Sequence, residues 1–213
     1  MERNFKLKKI AQIGTFDVEN FGDLLFPTVL KAQFNDVEID LFSPLGNMTK
    51  PFEEETFVFS IKDLEEKCKA EKYQLIIIGG GDLIRVQRNI ASSYASDFYA
   101  CTAIWQIHMI IGKKYRIPVI FNAVGVPMEF GCSEKKLTKL LLNDVDYLSV
   151  RDQFSKLFLM ECGLNNVEVV PDTAFIIPEI YKQSELNSVK NELVEIQVEN
   201  NCCKKSLLYG MAL

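Results

Sequence analysis

The chain has 213 residues, 24 Lys and Arg against 29 Asp and Glu for a formal net charge of −5, and 48% hydrophobic residues. This composition excludes a disordered or collagen-like chain, and the acidic balance excludes a general nucleic-acid binder, which carries a basic surplus or stripe. A chain of this length buries a substantial core and fits one large domain, or one domain plus a stub.

The start, MERNFKLKKI, has neither the apolar segment nor the small-residue cleavage site of a signal peptide, so the expected location is cytoplasmic. Residues 9–14 (KIAQIG) predict a strand, followed by a loop and a helix near residues 24–34. Residues 37–42 (VEIDLF) alternate with period two and predict a second strand. Residues 44–51, rich in Pro, Gly and Asn, predict a loop, and residues 61–72 a charged amphipathic helix. Residues 75–78 are four aliphatic side chains in a row before Gly79, Gly80 and Gly81. A strand apolar on both faces is what a parallel sheet covered by helices requires.

The second half repeats the rhythm. Residues 97–115 predict a long, mostly apolar helix, short of the roughly 20 apolar residues of a membrane span and interrupted by Gln106 and His108. Residues 117–122 (IPVIFN) predict a strand ending near Gly125, and Ser133 an N-cap for a helix through Leu142 with Lys136 and Lys139 on its wet side. A strand over 145–150, a helix over 153–162 stopped by Gly163, and a strand over 167–170 ended by Pro171 complete the series. Roughly six strands alternating with helices predict an α/β fold, a Rossmann-like doubly wound parallel sheet with right-handed crossovers. After Pro178 the pattern changes: Ser184 caps a predicted helix with Leu186, Val189, Leu193 and Ile196 on one face. The ending, SLLYGMAL, reads as a strand just starting, an apolar end that needs a partner surface.

Six cysteines, Cys68, Cys101, Cys132, Cys162 and the vicinal Cys202 and Cys203, lack the paired spacing of zinc sites. They read as reduced thiols packed as small hydrophobes, and no metal is expected.

In an open parallel sheet, ligands bind beyond the carboxyl ends of the strands. Asn20, Gly22 and Asp23 follow the first strand, Gly79, Gly80, Gly81 and Asp82 the third, residues 122–125 the fourth, Arg151 and Asp152 the fifth, and Pro171 and Asp172 the sixth. Glycine lets backbone N–H groups approach a ligand, and a helix N-terminus beyond adds partial positive charge. Asn20 to Asp23 read either as such a site or as the loop and cap of any α/β protein. Three consecutive glycines favour ligand approach, although neither loop is a dinucleotide fingerprint or a P-loop. Arg85 and Arg88 read as a bidentate anion holder or as a solvated face. Arg151 and Asp152, with Ser155 one turn on, either fix the loop by hydrogen bonds or contact ligand. His108, the only histidine, sits beside Trp105 and Ile111 and reads as a core or interface residue rather than a general acid/base. With one histidine, no Ser-His-Asp or Cys-His set can be assembled.

Five segments, IGTFDVENFGD (13–23), LIIIGGGDLI (75–84), IPVIFNAVGVP (117–127), DYLSVRDQFSKLFL (146–159) and VVPDTAF (169–175), together resemble the polysaccharide pyruvyltransferase family. The resemblance covers nearly all of residues 9–175. It implies one lobe of a two-lobed, GT-B-like transferase whose Rossmann-like lobes face a cleft. It further implies transfer of a pyruvyl group from phosphoenolpyruvate to a sugar hydroxyl pair, as a ketal on a surface polysaccharide or its precursor.

That chemistry requires a general acid/base and cationic groups for the donor's carboxylate and phosphate. The resemblance puts the family's histidine and basic donor-site residues mainly in the C-terminal lobe, and no matching motif surrounds His108, so the catalytic residues stay unassigned. The substrate-binding candidates are Asn20, Gly22, Asp23, Gly79, Gly80, Gly81, Asp82, Arg151, Asp152 and Ser155. Phosphoenolpyruvate is the expected donor, with no cofactor, no metal, no nucleic acid and no membrane span. The expected partners are a sugar or polysaccharide-precursor acceptor and a complementing C-terminal lobe or a second copy of the chain. A two-lobed transferase is nearly twice this long, roughly two domains. The expected division is therefore an N-terminal lobe over 1–177, then a linker helix and the incomplete start of a second lobe over 178–213, with no turnover by this chain alone. The alternatives are a non-catalytic sugar- or partner-binding lobe, or half of a nucleotide-sugar-dependent GT-B glycosyltransferase.

Overall fold

A computed structural model describes residues 8–17, 20–34, 36–49, 56–85, 104 and 111–180. In chain order its main elements are β1 (Lys9–Ile13), α1 (Phe21–Gln33), β2 (Glu38–Ser43), β3 (Asn47–Thr49), β4 (Thr56–Ser60), α2 (Leu64–Ala70), β5 (Ile76–Gly79), β6 (Val119–Val124), α3 (Cys132–Leu142), β7 (Tyr147–Val150), α4 (Gln153–Glu161) and β8 (Glu168–Val169). The strands form one sheet in the order β3-β4-β2-β1-β5-β6-β7-β8. Every pairing is parallel except that of β3 with β4 at one edge. The chain begins mid-sheet, runs outward through β2 and β4, and returns to β5 before building the other half. The order therefore reverses between β1 and β5, the doubly wound arrangement whose crevice opens at the carboxyl ends of those two strands.

Alternation along the strands sorts side chains to two faces. Ile10 and Ile77 pack with Leu30 of α1 on one face. Ala11, Ile13, Ile76, Ile78, Val119, Phe121, Leu148 and Val150 pack with Leu64 of α2, Leu142 of α3 and Leu159 of α4. All four residues of β5 are buried, as the run of aliphatic residues requires for a central strand.

Several boundaries differ from expectation, each for a local reason. Residues 44–51 are not all loop, since β3 lies within them, and β4 was not anticipated: its apolar centre is only three residues, Phe57, Val58 and Phe59, of which Val58 alone is fully buried. Helix α1 begins a turn early, at Phe21, because the Asn20 side chain accepts a hydrogen bond from the Gly22 N–H at 3.1 Å. Pro27 consequently lies inside the helix rather than at its start. The cap of α3 is Gly131, whose N–H donates to the Glu134 carboxylate at 2.7 Å, and not Ser133. Lys136 and Lys139 are exposed as expected, and Gly163, at φ +83°, stops the chain after α4. The charged helix expected over 61–72 is a 3-10 turn, Ile61–Asp63, followed by α2.

Of the apolar helix expected over 97–115, only Ile104 and residues 111–115 are described, ending in the helical turn Lys113–Tyr115. The rest of it, including Trp105, Gln106 and His108, lies outside the described residues. So do Arg88, Cys101, Cys202, Cys203, the helix expected over 184–196 and the SLLYGMAL ending. Among the described residues no helix is long and apolar enough to cross a membrane.

Phe121 is fully buried in the central strand β6. Phe121→Ala is expected to lower the unfolding free energy by about 3–5 kcal/mol in chemical denaturation. A loss below about 1 kcal/mol would contradict this placement in the core.

Candidate functional site

The reversal of strand order sets the loops after β1 and β5 side by side, and α1 enters between them. Gly80 and Gly81 have φ of +94° and +68°, the left-handed region that glycine tolerates. A side chain at Gly80 would run into the Phe26 ring of α1, and a Cβ at Gly81 would stand 2.7 Å from Asp23 Oδ1. Two of the three glycines thus let the first turns of α1 close onto β5. The β5 loop is also laced to the loop after β6: the Gly125 N–H donates to the Gly81 carbonyl at 2.9 Å, and the Ile84 N–H to the Gly125 carbonyl at 3.2 Å.

Asp23 occupies the first turn of α1. Asn20 Nδ2 donates to its carboxylate at 3.0 Å, and the Thr15 side chain also hydrogen-bonds to it. Burial pushes the Asp23 carboxyl up to about 6, aided by the negative charge of Asp82 and opposed by the Thr15 hydrogen bond and by the charges of Arg85 and Arg151. Asp17, in the loop after β1, accepts hydrogen bonds from the Leu45 N–H at 2.8 Å and the Gly46 N–H at 3.3 Å. Its carboxyl is likewise raised, by burial, against those same backbone bonds.

Arg151 follows β7 and draws three loops together. Its Nη2 meets Asp82 Oδ1 at 2.5 Å, its Nη1 lies 3.6 Å from Asp172 after β8, and its Nε lies 3.8 Å from Asp152. Of its two readings, loop-fixing or ligand contact, the Arg151 guanidinium meets the first: it is engaged by the chain's own carboxylates. Asp152 caps α4, accepting from the Ser155 N–H at 2.7 Å and the Ser155 hydroxyl at 3.0 Å. Ser155, 1% exposed, accepts in turn from the Val126 N–H at 3.0 Å, so it pins the β6 loop to α4.

All ten residues expected at the site lie at this pole of the sheet. Asn20, Asp23, Gly81, Asp82, Arg151 and Asp152 form one connected wall, whereas Ser155 sits beneath it. Sequence reasoning passed over Thr15, and it named Asp172 and Arg85 without placing them among the site residues. Asp172 and Thr15 had a signal, since they lie three and two residues beyond the ends of β8 and β1. Arg85 Nε is buried and, among the described residues, has no hydrogen-bond partner, so this nitrogen does not face solvent. Among the described residues, no group of three or more His, Cys, Asp or Glu is arranged to hold a metal ion.

A family model described as polysaccharide pyruvyl transferase matches residues 20–207. The chain belongs to the polysaccharide pyruvyl transferase family. Comparison with the curated proteins finds no match. The family implies a sugar acceptor, and the motifs that carry the family resemblance coincide with the loops of this wall.

Two outcomes follow for this member of the family. The Asp23 carboxyl, ordinarily near 3.8, is raised when folded, so the folded chain holds its proton to higher pH than the unfolded one. Asp23 then costs nothing below pH 4 and destabilises increasingly as pH rises through about 6. Asp23→Asn should gain on the wild type over that window by roughly 2–3 kcal/mol in its pH-dependent part, read from urea melts at pH 4 and pH 7.5. A pH-independent difference would contradict the buried carboxylate. Ser155→Ala strips partners from the Val126 N–H and Asp152 and should cost about 1–3 kcal/mol; unchanged stability would place Ser155 elsewhere.

Proposed function

We propose that the protein transfers the pyruvyl group of phosphoenolpyruvate to a pair of hydroxyls on a sugar of a surface polysaccharide or its precursor, forming a ketal, and that the wall described above holds the sugar. The observation that carries the second part is the pairing of unlike needs around Asp23. The half-buried Asp23 carboxylate can accept a hydrogen bond there, and the buried Arg85 Nε, whose charge acts on Asp23, is a donor without a partner among the described residues. A sugar hydroxyl both donates and accepts, so it meets both requirements at once.

Charge supports the same assignment. Among the described residues, the wall carries four carboxylates, Asp23, Asp82, Asp152 and Asp172, against the two guanidinium groups of Arg85 and Arg151. A surface with that balance suits neutral, hydroxyl-rich ligands and repels the donor's carboxylate and phosphate. The cationic groups for phosphoenolpyruvate then belong to an opposing surface, such as the second lobe of a GT-B-like cleft. Phosphoenolpyruvate carries its own activated carbon and phosphate leaving group, so this reading needs no further cofactor. The reaction would serve exopolysaccharide synthesis in the cytoplasm.

The same balance disfavours a nucleotide sugar on this wall, because its diphosphate would meet surplus carboxylate. In calorimetric titration, methyl pyranosides should bind in the millimolar range and UDP-sugars more weakly. Arg85→Met should weaken the pyranoside about tenfold or more, equivalent to about 1.4 kcal/mol. Tighter binding of a UDP-sugar than of any pyranoside would contradict the reading.

A further inference from the structure

We propose that the outer face of α3 and α4 docks the protein on a lipid surface that carries anionic headgroups. The proposal stands apart from the pyruvyl-transfer reading. Helix α4 buries Ser155 and Leu159 on its inner side, so its opposite side belongs to solvent. That side is apolar: Phe154 is 72% exposed, Leu157 53% and Met160 46%. Spacings of three keep them on one side of the helix, along about 9 Å of its axis at about 1.5 Å per residue. Leu140, on α3 of the same layer, is exposed too. A helix apolar on both faces is normally buried, and an exposed apolar cluster marks a contact surface.

Charge selects the partner. The chain has a net charge of −5, yet α3 and α4 carry Lys135, Lys136, Lys139 and Lys156 against only Glu134 and Glu161. Lys136 and Lys139 are exposed. Both glutamates are already engaged: Glu134 accepts from the Gly131 N–H at 2.7 Å, and Glu161 meets Lys135 Nζ at 2.7 Å. Lys139 reaches the far end of α4, since a Cβ at Gly163 would stand 3.0 Å from its Nζ. Asp152, just before the stripe, accepts from the Ser155 N–H and hydroxyl. Cations thus flank the apolar stripe, the combination that seats interfacial helices among anionic headgroups and acyl chains. A second copy fits worse. Two-fold pairing would set these lysines against their own equivalents. Three side chains also fall far short of the roughly 800 Å² that each partner of a stable complex buries.

The test is co-sedimentation of the full chain with vesicles of phosphatidylcholine alone and of phosphatidylcholine mixed equally with phosphatidylglycerol. Binding should be at least about tenfold tighter to the anionic vesicles. Lys136→Gln with Lys139→Gln should cost about tenfold or more of that affinity. Raising salt from about 0.1 M to 1 M, which shortens the screening length from about 10 Å to 3 Å, should act in the same direction. Phe154→Ser with Leu157→Ser should weaken binding about tenfold or more at low salt. All four positions lie on the outer side of their helices, so the urea midpoints of both variants should stay close to that of the wild type. Equal binding to the two kinds of vesicle, or undiminished binding by the Phe154 and Leu157 variant, would overturn the proposal. Absence of vesicle binding would overturn it too, and a dimer split by that same variant would then give the stripe to a second copy.

Discussion

The guanidinium of Arg151 is the joint on which the cleft wall depends. It stands at the end of β7 and binds Asp82 from the β5 loop at 2.5 Å, with Asp172 from the β8 loop and its neighbour Asp152 within 3.8 Å. Three carboxylates from three loops would repel one another without it, because like charges at such spacing and partial burial are screened only weakly. The bridge is partly buried, so its removal would leave carboxylates short of a partner, the costlier half of any ion pair. The triglycine loop, the β6 loop and the cap of α4 are all fastened to residues that Arg151 gathers. The wall is thus a product of the sheet order, which brings β5, β7 and β8 to one half of the sheet with their carboxyl ends at the same pole.

The two poles of the sheet treat charge differently. At the amino ends, Lys9 contacts Glu38 at 2.6 Å, Asp40 at 3.1 Å and Glu71, and Lys67 contacts Glu71 at 2.5 Å. Burial there works against the Lys9 charge, yet the hydrogen bonds from Glu38, Glu71 and Asp40 outweigh it and hold its ammonium more firmly protonated than usual. Acid and base meet closely, and the cluster fastens β1, β2 and the end of α2 together. At the carboxyl ends the match is incomplete among the described residues: carboxylates outnumber guanidiniums, one carboxyl is pushed toward neutrality by burial, and one buried guanidinium nitrogen goes without an acceptor. Uncompensated polar groups destabilise a fold, and this mismatch of charge lies at the pole where α/β sheets bind ligands.

Much of the fold was legible because the sequence signals were strong. The aliphatic run before Gly79 could belong only to a covered strand, and Gly163 could stop α4 because it tolerates φ +83°. The loops at the carboxyl ends were legible too, since sheet topology alone puts them at one pole. What escaped was set by contacts across the chain. Strand β4 has an apolar centre of only three residues, too short a run to mark a strand, and its place is set by pairing with β2 and β3. Arg151 read equally as a loop-fixing residue or a ligand contact because its carboxylate partners lie 69 and 21 residues away in sequence, and only the assembled sheet brings them within reach. The raised carboxyl of Asp23 depends on burial, which no local pattern around residues 20–23 encodes.

The central claim is that the wall between Asn20, Gly81 and Arg151 recognises sugar hydroxyls. The most direct measurement maps backbone amide shifts in the labelled chain as a methyl pyranoside is added. The account predicts that the largest changes fall on residues 20–23, 79–85 and 151–152, with phosphoenolpyruvate producing smaller ones there. Changes centred instead on the cavity lined by Asn143, Gly163, Asn165 and Asn166, at the opposite ends of β7 and β8, would contradict it.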